Sequence, residues 1–508
     1  MSDHGEPEKY SIDEMMDRLK SRPAETTAQD GELVTRSDGS QAIRVRKRKR
    51  RSHQPHKEEQ KSSRRSRMIQ VSGALILLLL GIFAAGVAIV YANSAAFRES
   101  LMKRITANSG ASVDLQQFRM NPTSANANQL ILKWPDGNAL GELNLRGIRA
   151  EVFPSTFLGK SMTGEEVVGS EAMLTIRIPQ QDKPRSESAE VEASPSIRFK
   201  RYAVPKFNMA IGDPGAPFIS MKNSEASFHP FNSNGRAQLL INRGDIGIVG
   251  WPKIRMDRSH IEFRDSYVDV VGMRLLHETD SRGLFEISGT VTPYEPDRAS
   301  TLAVHLESYL LSGLVGAELG HLFSGRIDTV ESSKSNSITF SPDKDPDASL
   351  AISFRGSLTS SFELNGFSFL STLSQPLDDK WFEKPVFESD VIGNLRRADG
   401  ILSLTDLSFA NKDRMALRGS VTMTADRRLS GSLELGVAEA MINASKNKRL
   451  DSMFGSTTDG FRWVSLTLGG NVTQPTDDFR ELYDAAATQT KPLDASDIPT
   501  FEELTRPK

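Results

Sequence analysis

The stretch Met68–Tyr91, MIQVSGALILLLLGIFAAGVAIVY, constrains this chain more than any other. It runs for about 24 residues without a formal charge, and the next charged side chain is Arg98. At about 1.5 Å of rise per residue, a helix of that length crosses a hydrocarbon core of roughly 30 Å. Arg64, Arg65 and Arg67 stand directly before it, and Arg44, Arg46, Lys47, Arg48, Lys49, Arg50 and Arg51 lie further upstream. The near downstream flank holds only Arg98, Lys103 and Arg104, with Glu99 among them. Positive flanks stay on the cytoplasmic side. The expectation is therefore a transmembrane helix over 68–92 acting as a signal anchor, with the N-terminus inside and roughly 400 residues exported. A cleaved signal peptide fits less well. The apolar run exceeds a typical h-region, and about 65 residues are too long an n-region. Gly81 and Gly86 are five apart, which is not a small-xxx-small pairing motif.

The chain has 508 residues, enough for two to four folding units. Its formal net charge is −2 although the N-terminal arm is strongly basic, so the exported part is acidic on balance. That argues against specific nucleic-acid binding. Cysteine is absent, which excludes disulfides, thiolate metal centres and cysteine nucleophiles.

Residues 1–67 are poor in aliphatic side chains and rich in Ser, Glu, Arg and Lys, and read as a disordered basic cytoplasmic arm. Ser11–Lys20, SIDEMMDRLK, interrupts it. Ser11 and Glu14 suit a capping box, and Ile12, Met15, Met16 and Leu19 share one helical face. The segment reads either as a frayed helix or as a docking peptide for a cytoplasmic protein partner. Arg46, Lys47, Arg48, Lys49, Arg50, Arg51, Arg64, Arg65 and Arg67 suit contact with anionic lipid head groups, at about 1 kcal/mol per basic residue near the surface. No aromatic residue is interleaved in IRVRKRKRRS, so base stacking has no platform.

Beyond the apolar run, Phe97, Leu101 and Ile105 recur at helical spacing within 94–110. The period then changes to 2. Alternating segments predict strands at Val113–Phe118, Ala139–Val152, Ile197–Tyr202, Phe207–Ile211, Ile261–Phe263, Tyr267–Val270, Leu284–Val291, Leu302–Leu306, Leu350–Leu358, Leu402–Phe409, Met415–Met423, Leu429–Val437 and Phe461–Val472. Many short strands separated by Gly, Asn-Gly, Asp-Gly and Pro turns imply antiparallel β structure. A unit of apolar, x, Gly, x, apolar recurs around Gly289, Gly356, Gly419, Gly431 and Gly470. A strand glycine marks a bend or a close approach by something else. It reads here either as sheet curvature or as slots for a ligand chain on an apolar concave face. Helices are expected at Glu307–Phe323, Phe367–Leu373, Val437–Asn447 and Thr476–Ala487, and loops at 179–195 and 341–348. The organisation is then an exported N-terminal β region over 93–330, a C-terminal β region over 331–475, and a C-terminal helix and polar tail over 476–508.

Catalytic motifs are missing. His229, His260, His277, His305 and His321 are scattered through the β region, and none has HExxH spacing. Gly159-Lys160-Ser161 resembles the end of a phosphate loop, but Pro154 stands where its first glycine belongs. The spacing of Gly244, Gly247 and Gly250 is wrong for a dinucleotide fingerprint, and no G-x-S-x-G elbow occurs. The expectation is a non-enzyme with no metal and no cofactor.

FRWVSLTLGGNVTQP near the C-terminus leads paired apolar residues into L-x-G-x-V and a proline. With the single anchor, the glycine-bearing strands and the block NQLILKWPDGNALGELNLRGIRAEVFPSTFLGKSMTGEEVVGSEAMLTI, it resembles the AsmA-like family of bacterial envelope proteins. The matching pieces of the block are Leu143–Val152, Leu158–Met162 and Val167–Ile178. The resemblance covers 68–180 and 385–475; the long basic arm departs from it. It implies a mainly β fold, in which the single N-terminal transmembrane helix precedes a long curved antiparallel β-sheet, a taco-like groove or sandwich, with a few short helices. It also implies an inner-membrane, periplasmic setting and a role in lipid transport between membranes during outer-membrane biogenesis, with membrane lipids as partners. An apolar groove suits acyl chains, since each CH₂ kept dry is worth about 0.8 kcal/mol. The candidate groove residues are Ile287, Val291, Phe354, Leu358, Met415, Leu417, Val421, Met423, Leu433, Leu435, Leu466 and Leu468; the same side chains equally suit a sandwich core. The alternative is a transmembrane scaffold or signalling protein that couples a cytoplasmic partner to the exported β domain. A hydrolase with an unrecognised site is a third reading.

Overall fold

The computed structural model describes residues 32–44, 76–80, 82–84, 86–157, 161–178, 197–230, 236–264, 267–292, 299–331, 336–341, 347–388, 390–455 and 457–489. The expected docking helix 11–20, the basic residues 46–51, 64, 65 and 67, the first part of the apolar run, the loop 179–195 and the polar tail 490–508 lie outside them. The chain divides into two compact units, Met1–Ile82 and Phe83–Lys508. In the first, Glu32–Thr35 and Gln41–Arg44 form an antiparallel hairpin. Its turn is built by Asp38, whose carboxylate accepts from the Ser40 amide and hydroxyl. The described residues of the apolar run are helical. No single helix among the described residues is long and apolar enough to cross a membrane; Ile76–Ala92 and Ala95–Ser109 meet that test only together, as a bent pair.

The second unit is mainly β. Helix α1, Ala95–Ser109, starts at Ser94, whose side chain accepts from the Phe97 amide, and stops at Gly110 in the left-handed region (φ 68°). Just before it, the Asn93 amide donates to the Met120 carbonyl (2.7 Å) and its side-chain oxygen accepts from the Met120 amide (2.8 Å). Phe97, Leu101, Met102 and Ile105 of α1 pack on Leu115, Met120, Ala125 and Ala150 of the first strands.

From Ser112 to Asp477 all but three short strands pair in one sequence-ordered sheet. Where its pairing forms rings, they are local. Ala237–Asn242 and Asp245–Ile248, for example, are two halves of one broken strand, and both lie between Ala216–His229 and Ile254–Phe263. No pairing among the described residues joins the first strand to the last. Neighbours are antiparallel throughout, except that Met162–Val168 and Glu171–Ile176 run parallel to Ile197–Asp213.

Residues 330 and 331 are not a domain boundary, contrary to the division expected from the sequence. Arg326–Thr329 and Ser337–Ser341 are again halves of one strand, and both pair with Asp347–Gly356. The expected helix Glu307–Phe323 is also shorter. The alternation of STLAVHLE holds a strand to Glu307, with every second residue buried. Only Ser312–Val315 (α2) and Ala317–Leu322 (α3) are helical. They are broken at Gly316, whose φ of 92° and ψ of 162° suit glycine alone. Ser368–Leu377 (α4), Glu439–Ser445 (α5) and, after an unpredicted helix at Lys448–Met453 (α6), Phe479–Gln489 (α7) lie close to the predicted helices.

The recurring glycines serve strand approach. A Cβ on Gly419 (φ 140°) would sit 2.1 Å from the Ser432 carbonyl oxygen, and one on Gly431 would sit 2.4 Å from that of Ser420. Gly470 (φ 83°) meets Gln474 in the same way at 2.7 Å, while Gly289 and Gly356 face Leu302 and Val391. Protein atoms fill these places, so they are not ligand slots. Gly419→Ala is expected to lower the unfolding free energy by about 1–3 kcal/mol in urea titrations. Gly455→Ala, with open space around it, is expected to change little.

Candidate functional site

Cross-strand pairs place apolar residues opposite one another along the sheet. One row passes through Leu132, Leu143, Leu174, Met209, Met221, Ile246 and Ile254. Beside it, Leu140, Ile176, Ile211, Ile219 and Ile248 form a second row. A third joins Tyr202, Phe228, Leu239, Ile261 and Val270, and continues through Gly289 and Leu302 to Ile338 and Leu350. One face is thus apolar over many strands.

The other face carries charge. Arg146, Glu171 and Lys206 form a ladder over three strands, with Lys206 2.8 Å and Arg146 3.9 Å from the Glu171 carboxylate. The Lys206 hydrogen bond and charge hold that carboxyl below its usual range. Lys133–Glu142 and Arg201–Glu166 add further cross-strand pairs. Exposed pairs of this kind stabilise little; they mark this face as the one that meets water.

What covers the apolar face changes along the chain. In the C-terminal half α2 to α7 lie over it. Leu314, Leu319, Phe369, Leu373, Ile442, Leu450 and Phe479 of these helices join the strand residues in one core. A small sheet of Phe323–Ser324, Phe362–Leu364 and Val386–Phe387 completes the second layer. The rings of Phe323, Phe362 and Phe387 surround Phe409 at 5.2–6.1 Å. Between residues 161 and 311, by contrast, the described residues contain no helix. There Leu174, Ile176, Met209, Ile211, Ile219 and Ile248 remain half-buried; on the neighbouring strand Leu143 and Leu145 are half-buried and Leu140 is 39% exposed.

The groove residues expected from sequence fall mostly in the covered half. Ile287, Phe354, Met415, Leu417, Val421, Leu433, Leu435, Leu466 and Leu468 are each at most 4% exposed and pack against protein. Val291 and Met423 are half-buried at the margin of that core. Leu358 is 76% exposed, beyond the end of its strand. The half-buried apolar residues lie instead on Leu140–Val152, Glu171–Ile176, Ile197–Asp213, Ala216–His229 and Asp245–Ile248, beside the buried Phe207, Met221 and Ile246. Alternation in FNMAI and PFISM signals two of these strands. Nothing local in the sequence signals that no helix among the described residues lies over them.

A buried polar cluster sits where the two halves meet. Arg326 pairs with Asp280 and donates to the Ser308 carbonyl at 2.7 Å. Burial opposes the Asp280 charge, but bonds from the Arg282 amide and the Arg326 guanidinium hold its pKa below the usual range. His277 lies beside it. Its Nδ1 accepts from the Thr279 amide (3.2 Å), so in the neutral ring the proton is on Nε2, which faces the Ser312 hydroxyl at 3.4 Å. In that tautomer Nε2 cannot take the Ser312 proton, and the pair lacks the logic of a serine nucleophile. Among the described residues no group of three or more His, Asp or Glu side chains is placed to hold a metal.

Comparison of the chain with protein-family models, with curated proteins and with solved structures returns no match.

Burial lowers the His277 pKa from 6.5, against the attraction of Asp280 and Glu278. Since the folded value is the lower one, the unfolded chain binds the proton first, and stability falls as pH drops through about 6.5. Melting temperature is expected to decline between pH 7.5 and 5.5, and His277→Gln to flatten that slope. An unchanged slope in the variant would assign the decline elsewhere.

Proposed function

We propose that this chain is a membrane-anchored envelope protein that binds lipid acyl chains along the uncovered apolar face of its sheet and conveys them between membranes. The observation that carries the reading is the pairing of Leu140, Ile176, Ile211, Ile219 and Ile248 across successive strands, half-buried or exposed and with no helix over them among the described residues of 161–311. A sheet that is apolar on one side ordinarily buries that side against a second layer. Here the hydrocarbon of a lipid supplies the layer. Each buried CH₂ contributes about 0.8 kcal/mol, and adjacent rows let a chain move without meeting water.

In this reading the apolar run 68–91 is the anchor, the basic arm is cytoplasmic, and the sheet works in the periplasm. The Asn93–Met120 hydrogen bonds tie the segment just after the apolar helix to the first strands. In this reading they join the residues that follow the anchor to the start of the sheet. The resemblance to AsmA-like proteins supports the same role.

The test is photo-crosslinking in the full-length, membrane-extracted chain. A photoreactive residue at Ile211 or Ile219 is expected to yield lipid adducts by mass spectrometry, and one at Lys222, exposed on the same hairpin, is expected to yield none. Ile219→Asp should reduce co-purified lipid several-fold. Equal labelling on both faces, or no adduct at either, would reject the proposal.

A further inference from the structure

The open apolar face ends at a cleft of about 660 Å³. It lies between the turn Val249–Lys253, helices α2 and α3, and the strand ends at 397–402 and 423–427. The sheet curls enough for the Arg397 guanidinium to reach back to this turn. It donates to the Gly250 carbonyl and, at 2.9 Å, to the Leu314 carbonyl, and it lies over the Trp251 ring at 5.3 Å. Three separate elements are thus held around one opening.

The cleft has two kinds of wall. Leu319, Ala348 and Leu402 are buried in its floor, with Met423 paired to Leu402 across the strands. Ile248, at the end of the half-buried row, packs against the same apolar core as Leu319 and Leu402 of the floor and is followed in the chain by Val249 at the cleft's edge. The remaining wall is charged: Lys253, Arg397 and Arg427 stand against Glu278 and Glu318, an excess of one positive charge. Lys253 is 3.7 Å from Glu278, and Arg427 is 2.7 Å from Glu318, all four well exposed. Exposed ion pairs of this type are worth little, so an incoming anion can exchange with the carboxylates at small cost.

We propose that this cleft seats the head group of an anionic phospholipid, with its phosphodiester at Lys253 and Arg427 and its acyl chains along the Ile248 row. This rests on the acyl-chain reading above and adds a preference to it. The single excess positive charge matches a monoanionic phosphodiester, whereas a zwitterionic head group brings no net charge to balance it. Arg397 is already committed to backbone carbonyls and shapes the opening.

The experiment equilibrates the full-length chain with vesicles of equal phosphatidylglycerol and phosphatidylcholine, and measures the retained ratio by mass spectrometry. The wild type is expected to retain phosphatidylglycerol preferentially. Lys253→Gln combined with Arg427→Gln should lower the ratio about threefold, and Glu318→Gln, which releases Arg427, should raise it. Because basic residues of the N-terminal arm also attract anionic lipid, a phosphatidylglycerol with a photoreactive head group is mapped by peptide in parallel. Its label is expected on the peptide containing Trp251. Lipid retained at one ratio in all three proteins, or a head-group label absent from that peptide, would overturn the seat and leave the trough standing. A wild type that retains neither lipid would remove both.

Discussion

A β-sheet with one apolar face cannot leave that face to water over its whole length, and the rest of this structure follows from how the face is covered. From residue 300 onwards the chain supplies its own cover: six short helices and a small second sheet whose phenylalanines close around Phe409. From 161 to 250 the strands keep the same alternation and the described residues contain no helix; Phe207, Met221 and Ile246 are buried there, while Leu174, Ile176, Met209, Ile211, Ile219 and Ile248 stay half-buried. One pairing pattern thus yields a packed core at one end and an unfinished surface at the other.

The junction between these states is tied by buried polar contacts. Arg326 and Asp280 neutralise each other in a nearly dry setting, His277 and Ser312 fix the start of α2, and Arg397 ties α2 to the turn at Gly250. Taking a charge out of water is costly unless it is paired and hydrogen-bonded. These groups are paired, and each bond joins segments distant in sequence. They set where the covered core stops and the open face begins, and so where a lipid head group has polar partners within reach of an apolar floor.

Much of the strand pattern was legible beforehand. Leu284–Val291 and Met415–Met423 are strands with the expected bounds, because strict alternation and flanking turns leave little choice. Ser124–Lys133, whose first half is SANANQ, gave no such signal; its small residues pack beneath α1, and pairing with Leu140–Val152 makes it a strand. Ile197–Tyr202 and Phe207–Ile211 merged into one long strand because the register passes through Pro205 with bulges in the partner pairing. The candidate groove was less legible. Leu417, Leu433 and Leu466 have the same alternation as Met209, Ile211 and Ile219, and periodicity cannot tell a covered face from an open one.

Composition and local pattern by themselves determined an apolar run of bilayer length with a basic flank, a cysteine-free chain, and a mainly β region with one apolar and one charged face. Those properties depend on side-chain chemistry and a period of two, both carried by neighbouring residues. Only the tertiary structure decided that 330 is not a boundary, that the recurring glycines admit atoms of a neighbouring strand, and that the greasy surface is sealed late in the chain and, among the described residues, partly exposed early. Cover is a relation between segments hundreds of residues apart, set by where helices fold back, and no short window of sequence contains it.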